Sequence, residues 1–331
     1  MRLIRITIVA LALVAAGCSG SNSDTSASSP SSEATQDAAI AESEGDFAGL
    51  VDIGGGRQMY MECSGTGSPT VVLVSGGRNA GDIWSVTADP KNERPVFAEV
   101  ARFTRVCAYD RPGTIRQDDK LSPSAPVEQP TSAKPAAADL DALLRASGEP
   151  GPYVLVGHSF GGPIVRLYAG AHPADLGGLV LVDALSEDLW NGLTPKQEGV
   201  FEELNAAPPG SHAEDLDHPA IFQQLRESPP VPPVPMLVLT ADRPQLTAEV
   251  LASGQLPAGV DQEFADALWA AQLAAQDKLA KKFPGAEHIT NTNSTHYIHS
   301  EQPQLVTDSI RQVVDADRDG AETVGTVEGA E

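Results

Sequence analysis

Positive charge is what this chain lacks most. Its 331 residues hold 22 lysines and arginines against 45 aspartates and glutamates, a formal net charge of -23. That balance would repel a phosphate backbone, so a nucleic-acid partner is excluded, and the acidic surface serves solubility. Long apolar runs are missing as well. Beyond Ala16 no segment is long enough to span a bilayer. No internal repeat is visible, and histidines and acids nowhere fall at metal-ligand spacing. Cysteine is scarce, with three in the chain. The 41% of hydrophobic residues nevertheless suffice to bury one large core or two smaller ones, so the chain is not disordered as a whole.

The two ends differ from the middle. Arg2 and Arg5 precede an apolar run from Ile6 to Ala16 and small residues ending at Cys18, the pattern of a secretory signal peptide. Ala15-Ala16-Gly17-Cys18 resembles a bacterial lipobox, with alanine where leucine is commonest three residues before the cysteine. The expectation is a signal peptide over residues 1–17 and lipidation of Cys18. The protein would then be exported and anchored to the outer face of a bacterial membrane, with plain secretion as the alternative. Residues 18–45 contain almost no large apolar side chain and read as a disordered tether reaching about 30 Å. Residues 315–331 read as a disordered acidic tail. With Cys18 in the anchor, Cys63 and Cys107 remain as an even pair, either a disulfide in an oxidising compartment or two buried thiols.

Between the ends, the pattern predicts alternating strands and helices. A hairpin forms around Gly54-Gly55-Gly56, with strands at 47–53 and 58–63. Further strands fall at 70–74, 103–108, 153–156, 178–182, 236–239 and 286–290, with helices at 135–148, 163–171, 261–282 and 303–314. Such alternation implies an α/β domain over residues 46–314, built on a mostly parallel sheet covered on both faces. The interval at about 185–233 breaks the alternation, carries the punctuating SPPVPPVP, and suits an inserted lid.

The stretch YVLVGHSFGG (Tyr153–Gly162) is the point at which chemistry becomes legible. A buried strand that ends in Gly-His-Ser-Phe-Gly and enters a helix is the context of a nucleophile elbow. The turn strains the serine backbone, the glycines let strand and helix cross closely, and the helix start offers amides to an oxyanion. Together with YDRPGT (109–114), GLVLVDA (178–184) and HYIHSEQPQLV (296–306), all in family order, the chain resembles the α/β-hydrolase superfamily over about 47–314.

The resemblance implies an eight-stranded, mostly parallel sheet and a Ser-His-Asp triad in the chain order nucleophile, acid, histidine. Ser159 takes the nucleophile's place. His296 takes the base's place, since His288 falls inside the last strand and His299 lies closer to the final helix. His158, beside the serine, points elsewhere in the family. Asp242, after the seventh strand, is the implied acid; Asp183, at the end of the sixth, is the alternative that some members use. The amide of Phe160 is the first oxyanion donor. The second comes from Ser75-Gly76-Gly77-Arg78, with Gly77 preferred and Arg78 next, in a loop where the family's usual His-Gly opening has become Ser-Gly. Asp110 and Arg111 read as a structural pair. The second and fourth strands are neighbours in this fold, which would bring Cys63 and Cys107 within disulfide reach.

The implied activity is carboxylic ester hydrolysis through an acyl-enzyme, with no metal or cofactor and a small-molecule ester as substrate. Serine at the elbow argues against the haloalkane dehalogenase and epoxide hydrolase branches, which use aspartate there. Peptidase, thioesterase and perhydrolase chemistry use the same residues and remain alternatives, as does a non-catalytic binding protein on this scaffold.

Overall fold

A computed structural model describes residues 45–91 and 93–324. The expected leader, Cys18 and nearly all of the tether lie outside these residues, as does the end of the tail. Among the described residues no helix is long and apolar enough to cross a membrane.

Strands β1 (Phe47–Gly54) and β2 (Arg57–Ser64) form the expected hairpin. Its turn glycines 54, 55 and 56 all take positive φ, which a side chain would resist. Then follow β3 (Thr70–Val74), β4 (Val106–Tyr109), β5 (Tyr153–His158), β6 (Leu176–Val182), β7 (Met236–Leu239) and β8 (Glu287–Ile289). They make one sheet in the order β1-β2-β4-β3-β5-β6-β7-β8, with β2 antiparallel to its neighbours and every pairing from β4 to β8 parallel. This is the α/β architecture expected. The fourth strand starts later than its sequence implies, because Phe103 and Thr104 close a helical turn onto Val100.

The helices are α1 (Val96–Val100), α2 (Ala133–Ser147), α3 (Gly161–Ala171), α4 (Pro195–Asn205), α5 (His218–Glu227), α6 (Ala248–Leu251), α7 (Gln262–Lys281), α8 (Ile298–Glu301) and α9 (Pro303–Arg318). The strand period of two sorts apolar side chains onto two faces. Val72, Val74, Leu155, Leu179, Leu181 and Val238 join a cluster with residues of α2, α3 and α7. Val71, Leu73, Val154, Val156, Val180 and Val182 join a second with α1 and α9. Both faces are therefore buried, which is why the parallel strands read as continuous apolar runs.

The interval read as a lid holds α4 and α5. Thr194 caps α4 in a reciprocal box with Gln197, and the Asp217 carboxylate caps α5 by accepting from the Ala220 amide at 2.9 Å. Phe201, Ile221, Phe222 and Leu225 are buried in the first core cluster, so the insertion is packed onto the domain. At the other end, α9 corrects the expected tail boundary. The helix runs on to Arg318, whose guanidinium donates to the carbonyls of Ser68 (2.8 Å) and Phe103 (3.0 Å), and Ala316 and Val324 are buried. Cys63 and Cys107 stand opposite each other in the β2/β4 register and are joined by a disulfide.

Candidate active site

Ser159 sits between β5 and α3 with φ 50°, a left-handed backbone uncommon for a residue with a side chain. The turn is held from both sides. The Ser159 amide donates to the Val182 carbonyl (3.2 Å), and its carbonyl accepts from Gly162 (3.0 Å) and Leu185 (2.9 Å). Close packing explains the flanking glycines: a Cβ at Gly157 would lie 2.7 Å from the Gly161 carbonyl oxygen, and one at Gly161 would run into that of Val74. Phe160 is the N-cap of α3, so the positive end of that helix directly follows the serine in the chain.

His296 lies in the loop after β8, partly exposed, and its Nδ1 is 2.6 Å from Oδ2 of Asp183. Asp183, buried at the end of β6 with φ 42°, also accepts from the Ala241 amide (3.1 Å, Oδ1) and the Gln272 side chain on α7 (2.6 Å, Oδ2). A carboxylate on Nδ1 holds the neutral imidazole with its lone pair on Nε2, the form a general base needs.

The preference for Asp242 is corrected by this geometry. Asp242 follows β7 as expected, but its two oxygens accept from the amides of Asn293 and Ser294, at 2.9 Å each. Its own amide and that of Arg243 donate to the Ser294 carbonyl, at 3.2 and 3.0 Å. Asp242 thus clamps the loop that carries His296 and, among the described residues, hydrogen-bonds no imidazole.

The other histidines have separate places. His288 is on β8, with Nε2 2.8 Å from the Thr240 hydroxyl, and burial lowers its pKa. His299 is buried against Trp84 and His158, with ring centroids 4.8 and 4.4 Å apart, and burial together with His296 pushes its pKa down to about 3. His158 is also buried, which, with His299 and His296 nearby, holds its pKa well below the usual value. Being neutral, it donates from Nε2 to the His296 backbone carbonyl at 2.9 Å. The residue preceding Ser159 therefore supports the backbone of His296, a contact that no sequence pattern announced.

Gly77 lies beside the elbow: a Cβ there would be 3.9 Å from the Phe160 Cβ. Arg78 is removed as an oxyanion donor, because its amide donates to Oε2 of Glu214 at 2.6 Å. The same carboxylate takes Arg111 Nε at 2.7 Å and Nη2 at 2.9 Å, and Arg111 also donates to the carbonyls of Ser75 (2.9 Å) and Gly76 (2.7 Å). The partner of Arg111 is therefore Glu214 and not Asp110, which instead accepts from the Gly81 amide (2.8 Å) and Arg116 (2.7 Å). Glu214 belongs to the segment between α4 and α5, so an ionic support of the Ser75–Arg78 loop comes from the insertion. Nothing local in sequence marks it.

Residues 71–328 match the model of the alpha/beta hydrolase family, and the chain belongs to that family. It is 31% identical over 149 residues to an uncharacterised protein of Schizosaccharomyces pombe, a match over 38% of this chain and only 26% of that protein. It is 25% identical over 280 residues to the pyrethroid hydrolase of Sphingobium wenxiniae, covering 74% and 88% of the two chains. Among solved structures, a thermophilic esterase from Thermogutta terrifontis overlays with TM-score 0.50 at 20% identity, over 82% of this chain and 99% of that one. A mutant of the haloalkane dehalogenase DatA from Agrobacterium tumefaciens overlays with TM-score 0.54 at 15% identity, over 82% and 98%. At these identities the overlays show the fold.

Proposed function

We propose that the protein cleaves carboxylic esters with Ser159 as nucleophile, His296 as general base and acid, and Asp183 as the acid that orients it. The observation that carries this reading is the 2.6 Å contact from His296 to the buried Asp183, in the same molecule that presents Ser159 on a strained strand-to-helix turn. His296 Nε2 takes the hydroxyl proton as Ser159 attacks the ester carbonyl, and the imidazolium that forms faces Asp183. The developing oxyanion is received by the amides of Phe160 and Gly77. The alcohol leaves with the proton from His296, and a water activated by the same nitrogen releases the acid and restores the serine. A hydroxyl at the elbow favours acyl transfer over displacement by a carboxylate, and the similarity to a protein named pyrethroid hydrolase is in keeping with a hydrolytic role.

The test is labelling by a fluorophosphonate probe with turnover of p-nitrophenyl esters, in wild type, Ser159→Ala and His296→Ala. Loss of both signals in both variants is expected. A folded wild type that neither labels nor turns over any ester would leave a binding protein on this scaffold. Export with a lipid anchor on Cys18 is proposed alongside, supported by the buried Cys63–Cys107 disulfide, which suits an oxidising compartment. Fractionation of cells carrying Cys18→Ser tests it: the variant is expected to leave the membrane fraction.

A further inference from the structure

We infer that Arg78 recognises an anionic group on the substrate, so that the preferred esters carry a carboxylate or similar anion within reach of the oxyanion hole; this rests on the esterase reading above. Arg78 directly follows Gly77, the second oxyanion donor of that reading, and is only partly exposed. Its backbone has φ 62°, a conformation natural to glycine or asparagine, and an arginine is held there against that preference. The backbone is fastened on both sides, by its amide on Glu214 (2.6 Å) and its carbonyl on the Ile115 amide (2.7 Å). The loop's direction, and with it the root of the side chain, is therefore fixed.

Among the described residues the guanidinium makes one hydrogen bond, from Nη1 to the Ala206 carbonyl at 2.8 Å. Four of its five N–H groups have no partner among those residues. Among the described residues no carboxylate forms an ion pair with it, although the chain has about twice as many acids as bases. The acid nearest in bonding terms, Glu214, is already matched by Arg111 in a buried pair. The Arg78 guanidinium thus has no carboxylate partner among the described residues, and its charge offsets part of the rise that burial imposes on the Tyr297 pKa; the Tyr297 ring centroid is 5.6 Å from that of His296. A cation so placed, with a planar fork of donors, fits a carboxylate. Consecutive Cα atoms are about 3.8 Å apart and an extended arginine side chain adds about 6 Å, so the fork lies within roughly 10 Å of the Gly77 Cα. Hemiesters of short dicarboxylic acids have that reach.

The test compares p-nitrophenyl hemiesters of succinate, glutarate and adipate with chain-matched neutral butyrate, valerate and hexanoate. Wild type is expected to favour at least one hemiester in kcat/KM over its neutral counterpart, and the preference is expected to shrink as salt rises. Arg78→Gln should lower the ratio of hemiester to neutral kcat/KM by about 10- to 100-fold, most of it in KM, and Arg78→Lys should restore part of it. Competition of free glutarate with neutral esters on the wild type supplies a readout that needs no variant. A wild-type ratio at or below one across the series, with no inhibition by glutarate, overturns the inference while leaving the esterase standing. Absence of fluorophosphonate labelling and of all ester turnover overturns the esterase reading itself.

Discussion

Nδ1 of His296 and Oδ2 of Asp183 lie 2.6 Å apart across 113 residues of chain, while Asp242, in the place where the superfamily more often carries its acid, bonds only backbone. The two aspartates therefore fail differently when changed. Asp183→Asn keeps the shape but offers an amide where the imidazole needs an acceptor, and kcat should fall by about 10³- to 10⁴-fold. Asp242→Asn retains one oxygen for two amides, so stability should drop by about 1–3 kcal/mol with a much smaller loss of kcat. Ester kinetics beside urea denaturation separate the two. Equal losses of kcat would contradict the assignment of Asp183.

The Arg111–Glu214 pair yields a second expectation. Both side chains are almost fully buried, so Glu214→Gln strands a guanidinium charge and should cost about 3–5 kcal/mol. Replacing both partners, as Arg111→Met with Glu214→Leu, should recover part of that stability, because no buried charge is left stranded while the backbone groups they bonded are left unpaired. Activity should not recover, because the Ser75 and Gly76 carbonyls and the Arg78 amide lose the groups that orient the oxyanion loop. Recovery of kcat together with stability would mean that the pair is ordinary packing.

The parts of this site legible in sequence are those fixed by local backbone. Gly157-His158-Ser159-Phe160-Gly161 announces its turn because a side chain at Gly157 or Gly161 would collide with the backbone of α3 or of the end of β3, and the sheet is legible because strands buried on both faces read as unbroken apolar runs. The acid was not decidable. Asp183 and Asp242 both follow apolar strands with similar neighbours, and the choice depends on where the His296 loop falls, a tertiary fact. Gln272 and Glu214 were invisible for the same reason: each reaches its partner from an element distant in sequence, by 89 residues for Asp183 and 103 for Arg111. The tail boundary was misplaced because its polar composition hides a helix whose apolar face continues to Ala316.

Acid should destabilise the protein through His299. Its pKa is about 3 in the fold against an ordinary 6.5, so the unfolded chain binds a proton between those values that the native state does not. Stability from this residue is therefore complete above pH 6.5 and is lost progressively as pH falls toward 3. At pH 5 the loss amounts to about 2 kcal/mol, since each pH unit below the unfolded value contributes about 1.4 kcal/mol. His299→Phe keeps a ring against Trp84 and removes the titration, so the difference in unfolding free energy between pH 7 and pH 5 should shrink by that amount. An unchanged difference would place the acid sensitivity elsewhere.

The disulfide provides the last expectation. Cys63 and Cys107 tie β2 to β4 and bridge a sequence separation of 44, with Cα atoms 4.1 Å apart on directly opposed strands. Constraining a loop of that length in the unfolded chain stabilises the fold by about 2–5 kcal/mol, and breaking it leaves two small buried groups that still pack. Cys63→Ser with Cys107→Ser, or strong reduction of the wild type, should therefore lower the unfolding free energy by that amount, read as a lower urea midpoint. Both sit in β2 and β4, on the far side of β3 from the Ser159 turn, so kcat below the new midpoint should stay within about twofold of wild type. A large fall in kcat at full native population would instead show that the β2/β4 bridge holds the Asp110–Arg111 segment, which follows β4 directly, in the position from which Arg111 orders the oxyanion loop.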